Sequence, residues 1–112
     1  MRIAIIGSGS LTCDIGKYIP AETTEIVSGG ARGVDRLAER WADERRIPKL
    51  IIKPDYARYG KAAPLWRNFL IVDLADSVVA VWDGQSLGTM ATIRYARKTG
   101  KPVQVHIIDT NV

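Results

Sequence analysis

Five short runs rich in valine and isoleucine, separated by helical patterns and glycine turns, constrain this chain more than any other feature. The runs are Arg2–Gly7, Thr24–Ser28, Lys49–Lys53, Ser77–Trp82 and Pro102–Ile107. They show little polar alternation, as parallel strands covered on both faces do. Helical spacing fills the intervals. In Gly33–Arg46, Val34, Leu37, Ala38 and Trp41 recur at i, i+3, i+4 and i+7, with Arg36, Arg40, Asp43 and Glu44 on the other face. Ala62–Ala75 begins near Pro64, and Thr89–Lys98 ends on Arg97 and Lys98 before Gly100 and Pro102. A short, poorly specified helix is expected over Thr12–Ile19, stopped by Pro20. Five strands alternating with four helices predict one α/β domain with a mostly parallel sheet. Right-handed crossovers favour a doubly wound order, near 3-2-1-4-5 by analogy with that architecture.

A length of 112 residues fits a single domain over residues 1–112, with one small core. No run of about 18 apolar residues occurs, so no membrane-spanning helix is expected. The apolar run Ile3–Ile6 is too short for a secretion signal and enters a glycine turn. The single cysteine, Cys13, excludes an internal disulfide framework and suggests a reducing cytoplasm. It has no evident histidine partner for a nucleophilic role and reads as a small half-buried thiol. One cysteine and one histidine, His106, cannot build a Cys/His zinc site, so no metal is expected. His106 lies in the run VQVHII and reads as a strand residue.

Glycine is placed informatively. Gly7-Ser8-Gly9-Ser10 follows the first strand, Gly29-Gly30-Ala31-Arg32-Gly33 the second, and Asp83-Gly84-Gln85-Ser86-Leu87-Gly88-Thr89 the fourth. Parallel strands bring all three loops to one sheet edge, and a crevice opens where strand order reverses. Glycine lets backbone approach a ligand, and free N–H groups at helix starts attract anions. Ser8, Ser10, Ser86 and Thr89 add hydroxyls, and Arg32 adds a guanidinium suited to phosphate. Net charge is +4, and residues 32–61 hold nine basic and five acidic side chains. Both features favour an anionic partner, a phosphorylated small molecule or nucleic acid. Tight strand-to-helix turns also use glycine and serine for purely structural reasons.

Sharper motifs fail. In the dinucleotide pattern that Gly7 and Gly9 begin, Thr12 stands at the third glycine, and no acid follows Ser28 for a ribose. No phosphate-binding GxxxxGK[ST] loop is present. Gly84-Gln85-Ser86-Leu87-Gly88 has the form GxSxG, but His106 is the only histidine available to a serine nucleophile. No cofactor is implied.

The segments VSGGARGVD (Val27–Asp35), DYARYGKAAPLWRN (Asp55–Asn68), ADSVVAVWDG (Ala75–Gly84) and Gly88-Thr89 resemble the SLOG superfamily, which includes Smf/DprA-type DNA-processing proteins and Lonely Guy phosphoribohydrolases. Within it they resemble the small, stand-alone YspA/YpsA-related branch. The resemblance implies a Rossmann-like fold that binds nucleotide-derived ligands, with Gly29–Gly33 and the pair Arg67-Asn68 in the crevice. Asp35, at the motif's aspartate, either holds the loop by accepting backbone N–H groups or contacts a ribose hydroxyl. Arg67 either binds phosphate or pairs with Asp73 or Asp83. Where Lonely Guy enzymes carry the PGGxGTxxE glutamate this chain has Thr92, and Asp83 stands at the proline. Asp35 and Asp83 are then the only candidate carboxylates for a processing hydrolase.

The leading expectation is a crevice for a nucleoside phosphate or ADP-ribose-like ligand, built from Gly7, Ser8, Gly9, Ser10, Gly29, Gly30, Arg32, Gly33, Arg67, Asn68, Gly84, Ser86, Gly88 and Thr89. The alternative is a single-stranded nucleic-acid binder, with Arg32, Arg36, Arg58 and Lys61 along a groove and Tyr56, Tyr59 and Trp66 as stacking faces. In Leu65–Ala75, Leu65, Phe69 and Val72 are expected to face the core. Trp66, Leu70 and Ile71 then face outward, which predicts a homo-oligomer through this helix.

Overall fold

A computed structural model describes residues 1–108 as five parallel strands in the order β3-β2-β1-β4-β5. The strands are β1 (Arg2–Gly7), β2 (Glu25–Ser28), β3 (Lys49–Ile51), β4 (Ser77–Trp82) and β5 (Val103–Ile107). The helices are α1 (Val34–Glu44), α2 (Tyr56–Tyr59), α3 (Ala63–Leu74) and α4 (Leu87–Lys98). The order and the parallel sense are those expected, and this is a Rossmann-like α/β fold.

Side-chain alternation along the strands feeds two cores. Ile3, Ile5, Ile26, Val79 and Val81 pack against Val34, Ala38 and Ala42 of α1. Ala4, Ile6, Val27, Val78 and Ala80 pack against Ile71 and Val72 of α3 and Ile93 and Ala96 of α4. Each fully buried isoleucine or valine contributes about 1.5–3 kcal/mol. No helix among the described residues is long and apolar enough to cross a membrane.

Two local expectations are corrected. Over Thr12–Ile19 only Ile15–Tyr18 winds, as a 3-10 turn, because Asp14 does not cap it and the extended Ile19 and Pro20 end it. A Cβ on Gly16 would lie 2.9 Å from the Trp41 indole nitrogen, so this segment is shaped by packing on α1. Second, Ile71 faces inward and is 1% exposed. The buried seam of α3 runs through Ala63, Ile71 and Val72 to Ala75 just beyond its end, while Phe69, half-buried, stacks on Tyr95 of α4 at 4.3 Å between centroids. Trp66 and Leu70 are exposed and Val72 is buried, as expected; Ile71 departs because it packs against the sheet and α4. The short α2 adds to the expected elements; the Asp55 carboxylate caps it by accepting the Arg58 N–H at 3.2 Å.

Candidate functional site

Parallel pairing brings the carboxyl ends of β1 and β4 level, Gly7 beside Val81, so their loops leave side by side. Ser8 ties the loops together. Its buried hydroxyl accepts the Asp83 N–H at 3.0 Å, and its carbonyl accepts the N–H groups of Leu11 and Val34, both at 3.4 Å. Gly33 has φ +70°, and a Cβ there would come within 2.5 Å of the Ser8 carbonyl oxygen. A Cβ on Gly7 would lie 2.2 Å from the Val81 oxygen. These two glycines are therefore required by packing between loops and strands. Gly9 and Ser10 remain exposed.

Asp83 braces the third loop. Its Oδ1 accepts the N–H groups of Gln85 and Ser86, each at 2.8 Å. Those bonds, the Ser86 one foremost, hold its carboxyl below the ordinary range. Gly84 follows with φ +81°. Thr92, at the position of the Lonely Guy glutamate, is fully buried and donates its hydroxyl to the Gly88 carbonyl at 2.8 Å. Ser86 precedes α4 without capping it; its Oγ instead accepts the Thr89 hydroxyl at 3.2 Å. The first-turn N–H groups of α4 thus have no side-chain cap, and Gly88 faces open space.

The second loop is organised by Arg67, reaching over from α3. Its Nη1 donates to the Gly29 carbonyl at 2.7 Å, and its Nε donates to Asn68 Oδ1 at 2.8 Å. A Cβ on Gly29 would meet the guanidinium at 2.7 Å, so a side chain there would displace Arg67 from this position. Arg67 pairs with neither Asp73 nor Asp83, and its positive charge has no salt-bridge partner among the described residues. Beneath the loop lies Asp35, 7% exposed, accepting the Ala31 N–H at 3.3 Å. Burial pushes its carboxyl upward; the Ala31 bond and the Arg67 charge partly oppose that shift. Ser28 Oγ is buried beside it.

Three open cavities adjoin Arg67 and Asn68. One, of 390 Å³, lies at the α4 start between Lys61, Asn68, Leu87 and Gly88. A second, of 420 Å³, is lined by Gly29, Gly30, Ala31, Lys53, Tyr56 and Arg67. A third, of 270 Å³, shares Lys53 and Arg67 and extends along Tyr59, Trp66, Phe69 and Tyr95. Tyr59 stacks on Trp66 at 5.2 Å between centroids, and the Arg58 guanidinium lies 5.3 Å from the Tyr59 ring centre. The structure therefore brings Gly29, Gly30, Arg67, Asn68 and Gly88 to these cavities, together with Lys61, Tyr56, Tyr59 and Trp66. Arg32 and Arg36 are exposed but lie outside all three. Lys53 was missed by sequence reasoning, although it follows β3 on the same sheet edge; attention to glycine passed over a loop that has none. Among the described residues, no group of three His, Cys, Asp or Glu side chains is arranged to hold a metal ion.

Comparison with known proteins agrees with this architecture. Residues 15–59 match the model of the YspA, cpYpsA-related SLOG family. The Gene 61 protein of Mycobacterium phage D29 is 39% identical over 84 residues, covering 70% of this chain and 67% of its own. DNA processing protein A from Helicobacter pylori superposes with a TM-score of 0.73 at 24% identity, over 99% of this chain and 67% of that one. A likeness at that identity concerns the fold. With the family motif, the phage relative and the fold in agreement, the chain belongs to the YspA, cpYpsA-related SLOG family.

Proposed function

We propose that this protein binds single-stranded nucleic acid along the carboxyl edge of its sheet. The observation that carries this reading is the succession of open cavities that combine cations with ring faces: Lys61 and Asn68 in one, Arg67, Lys53 and Tyr56 in the next, and Tyr59 and Trp66 in the third. A single strand needs that combination, with charge for each phosphate and a ring face for bases. The uncapped start of α4 and the Lys61 ammonium suit one phosphate. Arg67, held by Gly29 and Asn68, and Lys53 suit the next. DNA processing protein A, whose fold this chain shares, binds single-stranded DNA, which supports the same ligand class here.

A nucleoside phosphate or ADP-ribose-like molecule is the second reading, favoured by the α4 start, where Gly88 admits one phosphate onto free N–H groups. Either way, the carboxylates support a binder more than a hydrolase. Asp83 is committed to its loop, Asp35 lies beneath Ala31, and Thr92 offers no acid.

Fluorescence anisotropy of a labelled dT strand tests the leading reading. Binding is expected at micromolar protein in low salt. With two phosphates neutralised, affinity falls about sevenfold between 50 and 200 mM salt, from a slope of about −0.7 per phosphate. No binding to the strand, with a mononucleotide or ADP-ribose raising the melting temperature instead, favours the second reading.

A further inference from the structure

We infer that the cavity beside α3 is a slot for one unstacked guanine base. This rests on the proposed binding of nucleic acid and adds a base preference to it. Trp66, Leu70 and Asp73 fall at i, i+4 and i+7 and so share one stripe of α3 along this cavity. Trp66 is 49% exposed although it belongs to an aromatic run from Tyr59 through Phe69 to Tyr95. That run supplies ring surface for a base, whereas scattered surface tryptophans do not.

The two ends of the slot differ in chemistry. At the end shared with the carboxyl edge stand Lys53 and Arg67, neither paired with a carboxylate among the described residues. At the other end stands Asp73. Its Oδ1 accepts the Tyr95 hydroxyl at 2.7 Å, which fixes the carboxylate, while Oδ2 has no bond among the described residues. The other acid at this cavity, Asp55, likewise has one oxygen engaged, accepting the Arg58 N–H that caps α2. Six residues separate Arg67 from Asp73, about 9 Å along a helix, a span suited to one nucleotide from phosphate to base edge.

A carboxylate only accepts hydrogen bonds. It therefore selects the base edge with adjacent donors, the N1–H and N2–H₂ groups of guanine. Cytosine and adenine offer one amino group each, and thymine presents a single N–H between two carbonyls that a carboxylate repels. Phosphate on Lys53 and Arg67, rings at Trp66 and acceptor at Asp73 together describe a guanine nucleotide.

The test uses the full chain and 12-residue dT strands carrying one central dG, dA, dC or no substitution, with anisotropy as readout. The dG strand should bind about tenfold more tightly than all-dT, with dC and dA between. Asp73→Asn, which keeps an acceptor for Tyr95, should bring the dG strand down to the all-dT value. GMP tests the slot without a strand: it should quench tryptophan fluorescence at lower concentration than UMP, and Trp66→Phe should remove that quenching. If all-dT binds with the expected salt dependence but dG gains nothing, the slot is wrong and the binding reading stands. If no strand binds yet GMP is preferred through Asp73, the slot stands and the strand reading falls. If Trp66 and Leu70 instead bury themselves in a dimer, seen by sedimentation and lost in Trp66→Ala, with no guanine preference, the inference is overturned.

Discussion

Two parts of the carboxyl edge have similar glycine-rich sequences and opposite states of satisfaction. Around Ser8 and Asp83, the polar groups are spent on one another: hydroxyl on N–H, carboxylate on N–H, carbonyl on N–H. Around Arg67 and Lys53, the cations face open cavities without a carboxylate partner. The first part joins the loops; the second is available to a ligand. Glycine content alone does not distinguish them, because the same residue serves close packing at Gly33 and close approach of a guanidinium at Gly29. What distinguishes them is whether the surrounding donors and charges already have partners.

Substitutions on the joining side should cost stability and leave binding intact. The largest effect is expected from Gly33→Ala, which adds a methyl against the Ser8 carbonyl at a φ of +70°. It should lower stability by about 3 kcal/mol, read as a shifted urea midpoint. A midpoint within experimental error of the parent would mean the loops are not joined there. Ser8→Ala comes next, at about 2 kcal/mol, because it leaves the Asp83 N–H without its acceptor. Its strand affinity should be unchanged; a large loss would move Ser8 to the binding side.

On the open side, Arg67→Ala should weaken strand binding about tenfold while the fold persists, and Arg32→Ala, outside the cavities, should do less. The reverse order would relocate the site toward α1.

The smallest effects are in pH dependence, and the two aspartates should oppose each other. Asp83, held below its ordinary pKa, contributes stability that is present above the ordinary aspartate value and lost as pH falls through its folded one. Asp83→Ala should flatten that acid limb. Asp35, pushed upward by burial, favours the folded state below its ordinary value, and that advantage disappears as pH rises through the raised one. Asp35→Asn should therefore lose least, relative to the parent, near neutrality. Urea midpoints between pH 3 and 7 check both signs.

The sheet was legible because its signal is repeated. Arg2–Gly7 and Ser77–Trp82 are strands with the expected bounds, since runs of β-branched residues between turns have few other uses. Elements fixed by tertiary packing were less legible. The Ile15–Tyr18 turn is shaped by Trp41, and Ile71 is drawn inward by the sheet and α4, neither of which a periodicity in one segment contains. At the candidate site, the meeting of the three loops followed from parallel topology. Lys53 was hidden because its loop lacks glycine, and Asp73 because its hydrogen bond to Tyr95 spans two helices.

The central claim is that unpaired cations beside Arg67 hold the phosphates of a single strand. The most direct measurement is the salt dependence of dT-strand affinity for the parent chain and for Lys53→Ala/Arg67→Ala. The account predicts a parent slope of about −1.4 in log affinity against log salt, and a double variant with a slope shallower by roughly 0.7 and weaker binding at every salt concentration. Equal slopes and equal affinities for the two proteins would contradict it.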